Sequence, residues 1–469
     1  MIQILNSWTL TPPPELIILI YNFGLYIYHA ALPNYSYYLS CRYLNGDNCT
    51  FTLSKTKFYC NLNNTVDQIE AYSSYLLLLS QVLYSSLAIP AIFITGPLSD
   101  LLGRKVIILT ALFASIISLM CFCMIDIFSL HPFFILLPSI IDGIFGNRSV
   151  IYLGIVAMCL DISSEKYRTL RMGIFESAFI IGALASNLLS GLIIDSMGFL
   201  GCFAFIVFIW SLILCYTRYI PETLHQKQTE KDITFDIKYL LAKSLTPLRL
   251  FKHNKNRYRF IVFVVAYIFF IEDIASNRSI FALYVLAPPI CWGPIYQGYY
   301  FGLRNFSMTI GIYIVLPLLI LCGVPDLALL LIGAIDNAIA FGIIGVSSST
   351  WWLLGVVPVS GFLTSLGVPS IRSGLSKLVV STEQGSMLTI IEIVNCISTV
   401  FSTLFFNALY PTLRKINASY CFFIISATSV IPCCVVLLLM IYEYYKKRRL
   451  KGIAYEENRS LLQHNTAIN

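Results

Sequence analysis

Residues 96–105 read GPLSDLLGRK and decide the fold. The stretch separates two long apolar segments, 75–97 and 106–128, each of which is long enough to cross a bilayer. Gly96 and Gly103 carry no side chain, so the ends of the two segments are free to approach each other closely. The spacing predicts a tight turn between two membrane helices.

The charged residues predict on which side of the membrane this turn lies. Asp100 is placed to cap or pair at a helix end, and Arg104 and Lys105 hold the turn on the cytoplasmic side under the positive-inside rule. The alternative is an ordinary basic loop that the same rule places on the cytoplasmic side.

Composition identifies a membrane protein. Of the 469 residues, 57% are hydrophobic and only 12% are charged, against about 25% charged residues in an average soluble chain. The first apolar run is too long for a cleavable signal peptide and lacks a basic region before it, so we expect it to remain as a span. About twelve apolar segments fit a membrane helix: 15–34, 75–97, 106–128, 132–158, 172–195, 200–220, 259–285, 296–321, 327–347, 351–373, 385–409 and 420–443.

The spans divide into two six-helix bundles, which predicts an all-α membrane protein. The bundles cover 1–220 and 259–445, with a cytoplasmic linker at 221–258 and a basic cytoplasmic tail at 446–469. Twofold repetition of this kind places a binding site near the membrane midplane between the halves. Prolines inside spans, such as Pro90, indicate kinks.

The distribution of basic residues predicts that both termini are cytoplasmic. Although the net charge is +7, Lys and Arg concentrate in loops of one parity, which indicates a membrane topology and not nucleic-acid binding. The long loop 35–74 then faces the oxidising side, where disulfides and glycans are permitted. Cysteines and glycosylation sequons assigned to that side are Cys41, Cys49, Cys60, Cys291, Asn34, Asn48, Asn63 and Asn417.

Several stretches resemble a known family. The pattern of 96–105 resembles the loop signature of the major facilitator superfamily, and this resemblance implies that Gly96, Asp100, Gly103 and Arg104 form a conformational latch. Within that superfamily, DISSEKYRTLRM (161–172), LYVLAPPICW (283–292) and IRSGLSKLVVSTEQG (371–385) resemble solute carrier family 46, which contains the proton-coupled folate transporter. The resemblance implies a secondary transporter that moves organic anions by alternating access, in some members with protons.

The resemblance also has consequences for single residues. It implies a disulfide between Cys60 and Cys291, with Cys41 and Cys49 as a local alternative. Glu176, Arg372, Asp100 and Arg104 match functional positions of the family. The chain departs from the folate transporter at Asn147, where that protein has Asp, and at Ile274, where it has His, so neither folate as substrate nor a proton as driver follows.

Charged side chains inside spans are expensive, so each is a site hypothesis. Arg372 is the strongest anion-binding candidate because a guanidinium clamps a carboxylate or phosphate in two places; its alternative is an arginine that snorkels to the membrane surface. Arg278 lies one helical turn from Ile274 and offers a fixed positive charge there.

Glu176 is the candidate for a titrating carboxylate, and its alternative is a permanent ion pair with Arg148 or Arg171. His29 is a further candidate, although a histidine beside tyrosines is more often a packing residue. The remaining candidates for substrate binding or coupling are polar or charged side chains within spans: Asn147, Arg148, Asp273 and Asn395.

The tail carries a sorting motif. Glu457 followed by Leu461 and Leu462 fits an acidic dileucine signal read by clathrin adaptors, which directs proteins to endosomes and lysosomes; the alternative is a disordered polar end. The other expected partners are a small organic anion and the lipid bilayer. No phosphate-binding loop, metal motif or nucleophile elbow is present in the sequence, so we expect no enzyme, no metal and no cofactor beyond a proton gradient. The rival function is a non-transporting receptor or sensor that kept a transporter fold.

Overall fold

The computed structural model describes most of the chain. The described residues are 13–45, 64–163, 168–223, 257–286, 294–347, 352, 355, 361–379, 384–414, 417 and 419–466. Within them the regular structure is helical throughout, and nine stretches are long and apolar enough to cross a membrane. The α-helical membrane fold predicted from the spans is therefore confirmed.

Among its described residues, the N-terminal half contains six α-helices and a short 3-10 turn. Apolar segments form helices here because only a helix satisfies its own backbone hydrogen bonds within a bilayer. In chain order the elements are α1 (Glu15–Asn45), α2 (Asn64–Leu102), α3 (Arg104–Ile127), the 3-10 turn Pro132–Ile135, α4 (Leu136–Ile144), α5 (Asn147–Ile162) and α6 (Arg168–Tyr219).

The C-terminal half contains the remaining helices. Its elements are α7 (Arg257–Leu286), α8 (Pro294–Ile310), the π turn Gly311–Val315, α9 (Leu316–Leu321), α10 (Asp326–Val346), the 3-10 turn Leu363–Leu366, α11 (Gly367–Ser376), α12 (Gln384–Arg414) and α13 (Tyr420–Thr466).

Helix breaks fall at glycine more than at proline. α6 covers two predicted spans that meet at Gly198, whose φ of 66° lies in the left-handed region. The fourth predicted span breaks between α4 and α5, where Gly146 and Asn147 have φ of 81° and 49°. Pro90, predicted to kink its span, lies inside the unbroken helix α2.

The predicted loop 35–74 is shorter than expected. Helices α1 and α2 extend into it to Asn45 and from Asn64, and buried Ser36 and Ser73 join them through a hydroxyl-to-hydroxyl hydrogen bond of 3.1 Å. Asn34, predicted to lie in this loop, is instead half-buried within α1, and its amide donates to the Ala30 carbonyl at 2.9 Å. The predicted loop position of Asn34 is therefore wrong.

The two halves meet along α2 with α12 and along α6 with α8 and α11. Glycines make the approach close. A side chain at Gly96 would overlap Thr389 on α12, and one at Gly173 would overlap Leu316 on α9. Small residues of this kind let membrane helices pack at backbone distance. The interface brings polar residues of α5 and α6 opposite those of α11 and α12.

Candidate functional site

An arginine held by two carboxylates lies at the centre of the interface. Arg372 of α11 is 5% exposed, with Nη1 at 2.9 Å from Glu176 Oε1 and Nη2 at 3.4 Å from Glu392 Oε1. Glu176 belongs to the N-terminal half and Glu392 to the C-terminal half. We call Glu176, Arg372 and Glu392 the carboxylate–arginine cluster. With all three groups ionised, one negative charge of the cluster has no counter-charge within it.

Packing fixes the arginine in place. Gly367 and Gly374, seven residues apart on α11, each lie so near a phenylalanine of α7 that a side chain there would overlap the ring, so the helices are in close contact. The guanidinium of Arg372 lies over the Phe175 ring at 5.4 Å, a cation–π distance. The alternative that Arg372 snorkels to the surface is wrong, because its charge is buried against both halves.

Asn395 extends the cluster along α12. Its Nδ2 donates to Glu392 Oε2 at 3.1 Å, so Glu392 is held at both oxygens, one by Arg372 and one by Asn395. Asn395 also lines a small crevice at the boundary of the halves, which we call the Arg148 crevice. The crevice is lined by Tyr84, Ser85, Asn147, Arg148, Ser149, Asn395, Cys396 and Thr399.

Asn147 and Arg148 begin α5 at the break in the fourth span. The Asn147 side chain is committed to structure, since Oδ1 accepts from the Ser149 backbone N–H at 2.8 Å and Nδ2 donates to the Tyr84 carbonyl at 3.1 Å. The Arg148 guanidinium, by contrast, has no carboxylate partner and no hydrogen bond among the residues that the structure describes.

A second network closes the bundle at the end that holds Gly103, Arg168, Asp326 and Lys377, which we call the basic face. Lys377 donates to Asp326 Oδ2 at 2.8 Å and to Thr169 Oγ1 at 3.0 Å, and Thr169 donates to Asp326 Oδ1 at 2.9 Å. Arg168 donates to the Ser376 carbonyl at 3.2 Å. Because Arg168 and Thr169 belong to the N-terminal half and the others to the C-terminal half, the two halves are locked together here.

Comparison with known proteins agrees with this architecture. The family model described as Major Facilitator Superfamily matches residues 16–335. The chain belongs to the Major Facilitator Superfamily. It is therefore a secondary active transporter and not an enzyme.

Named relatives narrow the resemblance within the superfamily. The lysosomal proton-coupled steroid conjugate and bile acid symporter SLC46A3 of Gallus gallus is 25% identical over 356 residues, which is 74% of this chain and 75% of that protein. The proton-coupled folate transporter of Rattus norvegicus is 24% identical over 348 residues, 72% of each chain. These relatives confirm the resemblance to solute carrier family 46.

Solved structures show the same fold. The crystal structure of the human organic anion transporter MFSD10 (TETRAN) matches with a TM-score of 0.69 at 17% identity, over 90% of this chain and 97% of that one. The crystal structure of the E. coli fucose:proton symporter FucP matches with a TM-score of 0.63 at 14% identity, over 91% and 97% of the two chains.

The transporter places Glu176 with a different partner from the two suggested by the sequence. Glu176 pairs with Arg372 across the interface. Arg171 instead forms an ion pair of 2.5 Å with Glu15 of α1, inside the N-terminal half. The predicted alternative, a permanent pair of Glu176 with Arg148 or Arg171, is therefore wrong.

The turn of the predicted latch is held mostly within one half. Gly103 has a φ of 101°, a conformation that glycine adopts readily and other residues rarely do. Arg104 pairs with Asp161 at 3.2 Å and donates to Ser99 at 2.6 Å. Among the described contacts of the latch residues, the one that crosses to the other half is Gly96 against α12. The Asp100 side chain lies outside the described residues.

Sequence reasoning missed Glu222, which it assigned to a solvated linker. Its two carboxylate oxygens accept the backbone N–H groups of Arg104 and Lys105 at 3.0 Å each, so it caps the start of α3. The available signal was a lone acid directly after the sixth span, on the same side as Arg104. Glu392 was likewise not selected as a site residue.

Some of the remaining predicted site residues are described by the structure, and others lie outside the described residues. His29 is half-buried against the rings of Tyr26 and Tyr28. Cys41 is disulfide-bonded, and its partner lies outside the described residues. Asn417 lies exposed after the end of α12. Predicted residues whose side chains or whole placement lie outside the described part are Asp273, Arg278, Cys60, Cys291, Asn48, Asn63, Glu457, Leu461 and Leu462.

The tail itself continues as part of α13 to Thr466, so the alternative of a disordered end is wrong for its backbone. The sorting role of the dileucine motif stays a prediction. Among the described residues no cluster of His, Cys, Asp and Glu is arranged to hold a metal ion.

Proposed function

We propose that the chain is a proton-coupled transporter of organic anions, with the carboxylate–arginine cluster as its proton site. The observation that carries the proposal is the pairing of one buried guanidinium with two carboxylates from opposite halves. A proton on either carboxylate neutralises the cluster. That proton also weakens the ion pair between Arg372 and the carboxylate that carries it.

Glu176 is the carboxylate that takes the proton in this account. Its side chain is 12% exposed, against 3% for Glu392, and Glu392 is additionally held by Asn395. The bond that a proton on Glu176 weakens is the one that joins the two halves. Protonation would therefore release α6 from α11 and favour rocking of the halves, which is the step that alternating access requires.

The relatives support the substrate class. Two of the proteins to which this chain is similar are named for proton-coupled transport, one of steroid conjugates and bile acids and the other of folate, and all of these are organic anions. Asn147 and Ile274 depart from the folate transporter, so we place steroid conjugates and bile acids first. The positive-inside rule favours a cytosolic position for the basic face. Lysosomal relatives and the tail motif favour an endosomal or lysosomal membrane for the protein.

Uptake of estrone 3-sulfate tests the proposal, because this steroid conjugate stays ionised at the pH values used. We expect uptake by the wild type to rise several-fold between external pH 7.4 and 5.5. Glu176→Gln mimics the protonated side chain, so we expect its uptake to be independent of pH. The matched control is Glu443→Gln, which removes an acid paired with Arg259 at the membrane edge and should keep the wild-type profile. A normal pH profile in Glu176→Gln would contradict the proposal.

A further inference from the structure

A second arginine at the interface, Arg148, is paired with no carboxylate among the described residues. Arg148 belongs to α5, and Asn395 and Thr399 of α12 line the same crevice from the other half. Arg372 has its charge balanced by two acids, whereas Arg148 pairs with no acid among the described residues. A guanidinium without a counter-charge in a membrane span costs free energy, so its presence there points to a function.

The described residues that line the crevice around Arg148 are aromatic and polar. The guanidinium lies near the side chains of Tyr26, Tyr84 and Tyr152, and the Tyr84 hydroxyl accepts the Arg148 backbone N–H at 3.5 Å. Ser85 and Thr399 add hydroxyl groups to the crevice. This set provides one fixed positive charge and several hydrogen-bonding groups, which suits a single anionic group such as a sulfate, sulfonate or carboxylate.

Aromatic rings connect the two arginines. Phe175 lies under Arg372, and its ring centroid is 6.4 Å from that of Tyr152. The ring of Phe179 lies 5.8 Å from Tyr152 and 5.9 Å from Tyr26. We call Tyr26, Tyr152, Phe175 and Phe179 the aromatic wall. Tyr26 and Phe179 are only half-buried, so they retain surface on which a flat apolar body can pack.

We propose that the Arg148 crevice binds the anionic group of the substrate while the aromatic wall binds its apolar body. This inference rests on the proposed function, because it names the substrate class of the same interface. Among the described residues, Arg372 is paired with acids and Arg148 is not, so the class that fits is an aromatic or polycyclic monoanion. A second anionic group would meet the carboxylates of the cluster, so a dianion is disfavoured.

A charge series on one ring system tests the subsite. The probes are naphthalene-1-sulfonate, naphthalene-1,5-disulfonate and neutral 1-(methylsulfonyl)naphthalene, added to the purified full-length transporter at a single neutral pH. For each variant the thermal shift is measured against its own ligand-free sample. We expect the monosulfonate to stabilise the wild type at concentrations at least tenfold lower than either of the other probes.

Variants at Arg148 assign the effect to this side chain. Arg148→Gln should remove the preference for the monosulfonate over the neutral probe, and Arg148→Lys should retain part of it. The matched control is Arg304→Gln. Arg304 is a buried arginine inside the C-terminal half that lies over Phe341 at 5.6 Å and donates to the Tyr300 hydroxyl; its loss should leave the charge preference intact.

The outcomes separate this inference from the proposed function. Equal monosulfonate preference in Arg148→Gln and the wild type would overturn the subsite, whatever the pH dependence of uptake. An equal response of the wild type to all three probes would also overturn it. Because no proton gradient is applied, a failure of proton coupling at Glu176 would leave the binding result unchanged. If Arg148→Gln does not fold, the partial effect in Arg148→Lys carries the test.

Discussion

At the scale of single residues, the two arginines of the interface, Arg372 and Arg148, have different surroundings. Arg372 is buried against Glu176 and Glu392, so its charge is used to hold the halves together. Arg148 has no acid beside it among the described residues and is the group that we propose binds substrate. The difference between the two depends on which acids lie nearby in space, which explains why sequence reasoning ranked Arg372 first as an anion-binding group.

Removal of Arg372 should damage stability as well as transport. In Arg372→Ala two buried carboxylates lose their counter-charge, and loss of one partner of a buried ion pair costs about 3–5 kcal/mol. We therefore expect a lower thermal unfolding temperature for the purified variant and no uptake of estrone 3-sulfate. The double variant Arg372→Ala with Glu392→Gln should recover part of the lost stability, because one of the stranded charges is gone. An Arg372→Ala protein as stable as the wild type would contradict the cluster.

At the scale of elements, glycines and caps decide where helices start, stop and touch. The turn between α2 and α3 needs Gly103 for its positive φ and Gly96 for its contact with α12, so the stretch 96–105 was informative in sequence. The position of the break before α5 was not anticipated, because kinks were expected at prolines and this break falls at Gly146 and Asn147. That break brings Arg148 to the interface.

Glu222 provides a test at this scale. Glu222→Ala leaves the Arg104 and Lys105 backbone N–H groups at the start of α3 without their acceptor, which is expected to cost about 1 kcal/mol. Glu222→Gln keeps a carbonyl acceptor and should lose less. The measurement is the thermal unfolding temperature of both variants in detergent. A larger loss in Glu222→Gln than in Glu222→Ala would contradict a capping role.

At the scale of the whole molecule, the fold was largely predictable and the site only in part. The apolar spans and basic loops are regular in composition, so most predicted spans coincide with helices of the described residues, including the two that join in α6. The site was harder, because Glu176 of α6, Arg372 of α11 and Glu392 of α12 are far apart in sequence. Only the packing of the two halves shows that one arginine faces both acids.

In the proposed mechanism, the same packing connects a proton to the movement of the halves. The basic face is closed by Thr169, Asp326 and Lys377, while the interface centre is tied by Glu176 to Arg372. Opening the basic face therefore requires that both contacts part. In this account the proton on Glu176 releases the central one, so proton uptake and rearrangement of the halves are obligatorily linked.

Direct measurement of proton movement tests the proposed coupling at Glu176. The transporter is reconstituted in liposomes that contain a trapped pH-sensitive dye, and estrone 3-sulfate is added outside without an imposed pH gradient. Because the sulfate ester carries no proton of its own at these pH values, acidification of the lumen reports protons moved by the protein. We predict acidification with the wild type and none with Glu176→Gln. Uptake by the wild type without acidification, or equal acidification with Glu176→Gln, would contradict the account.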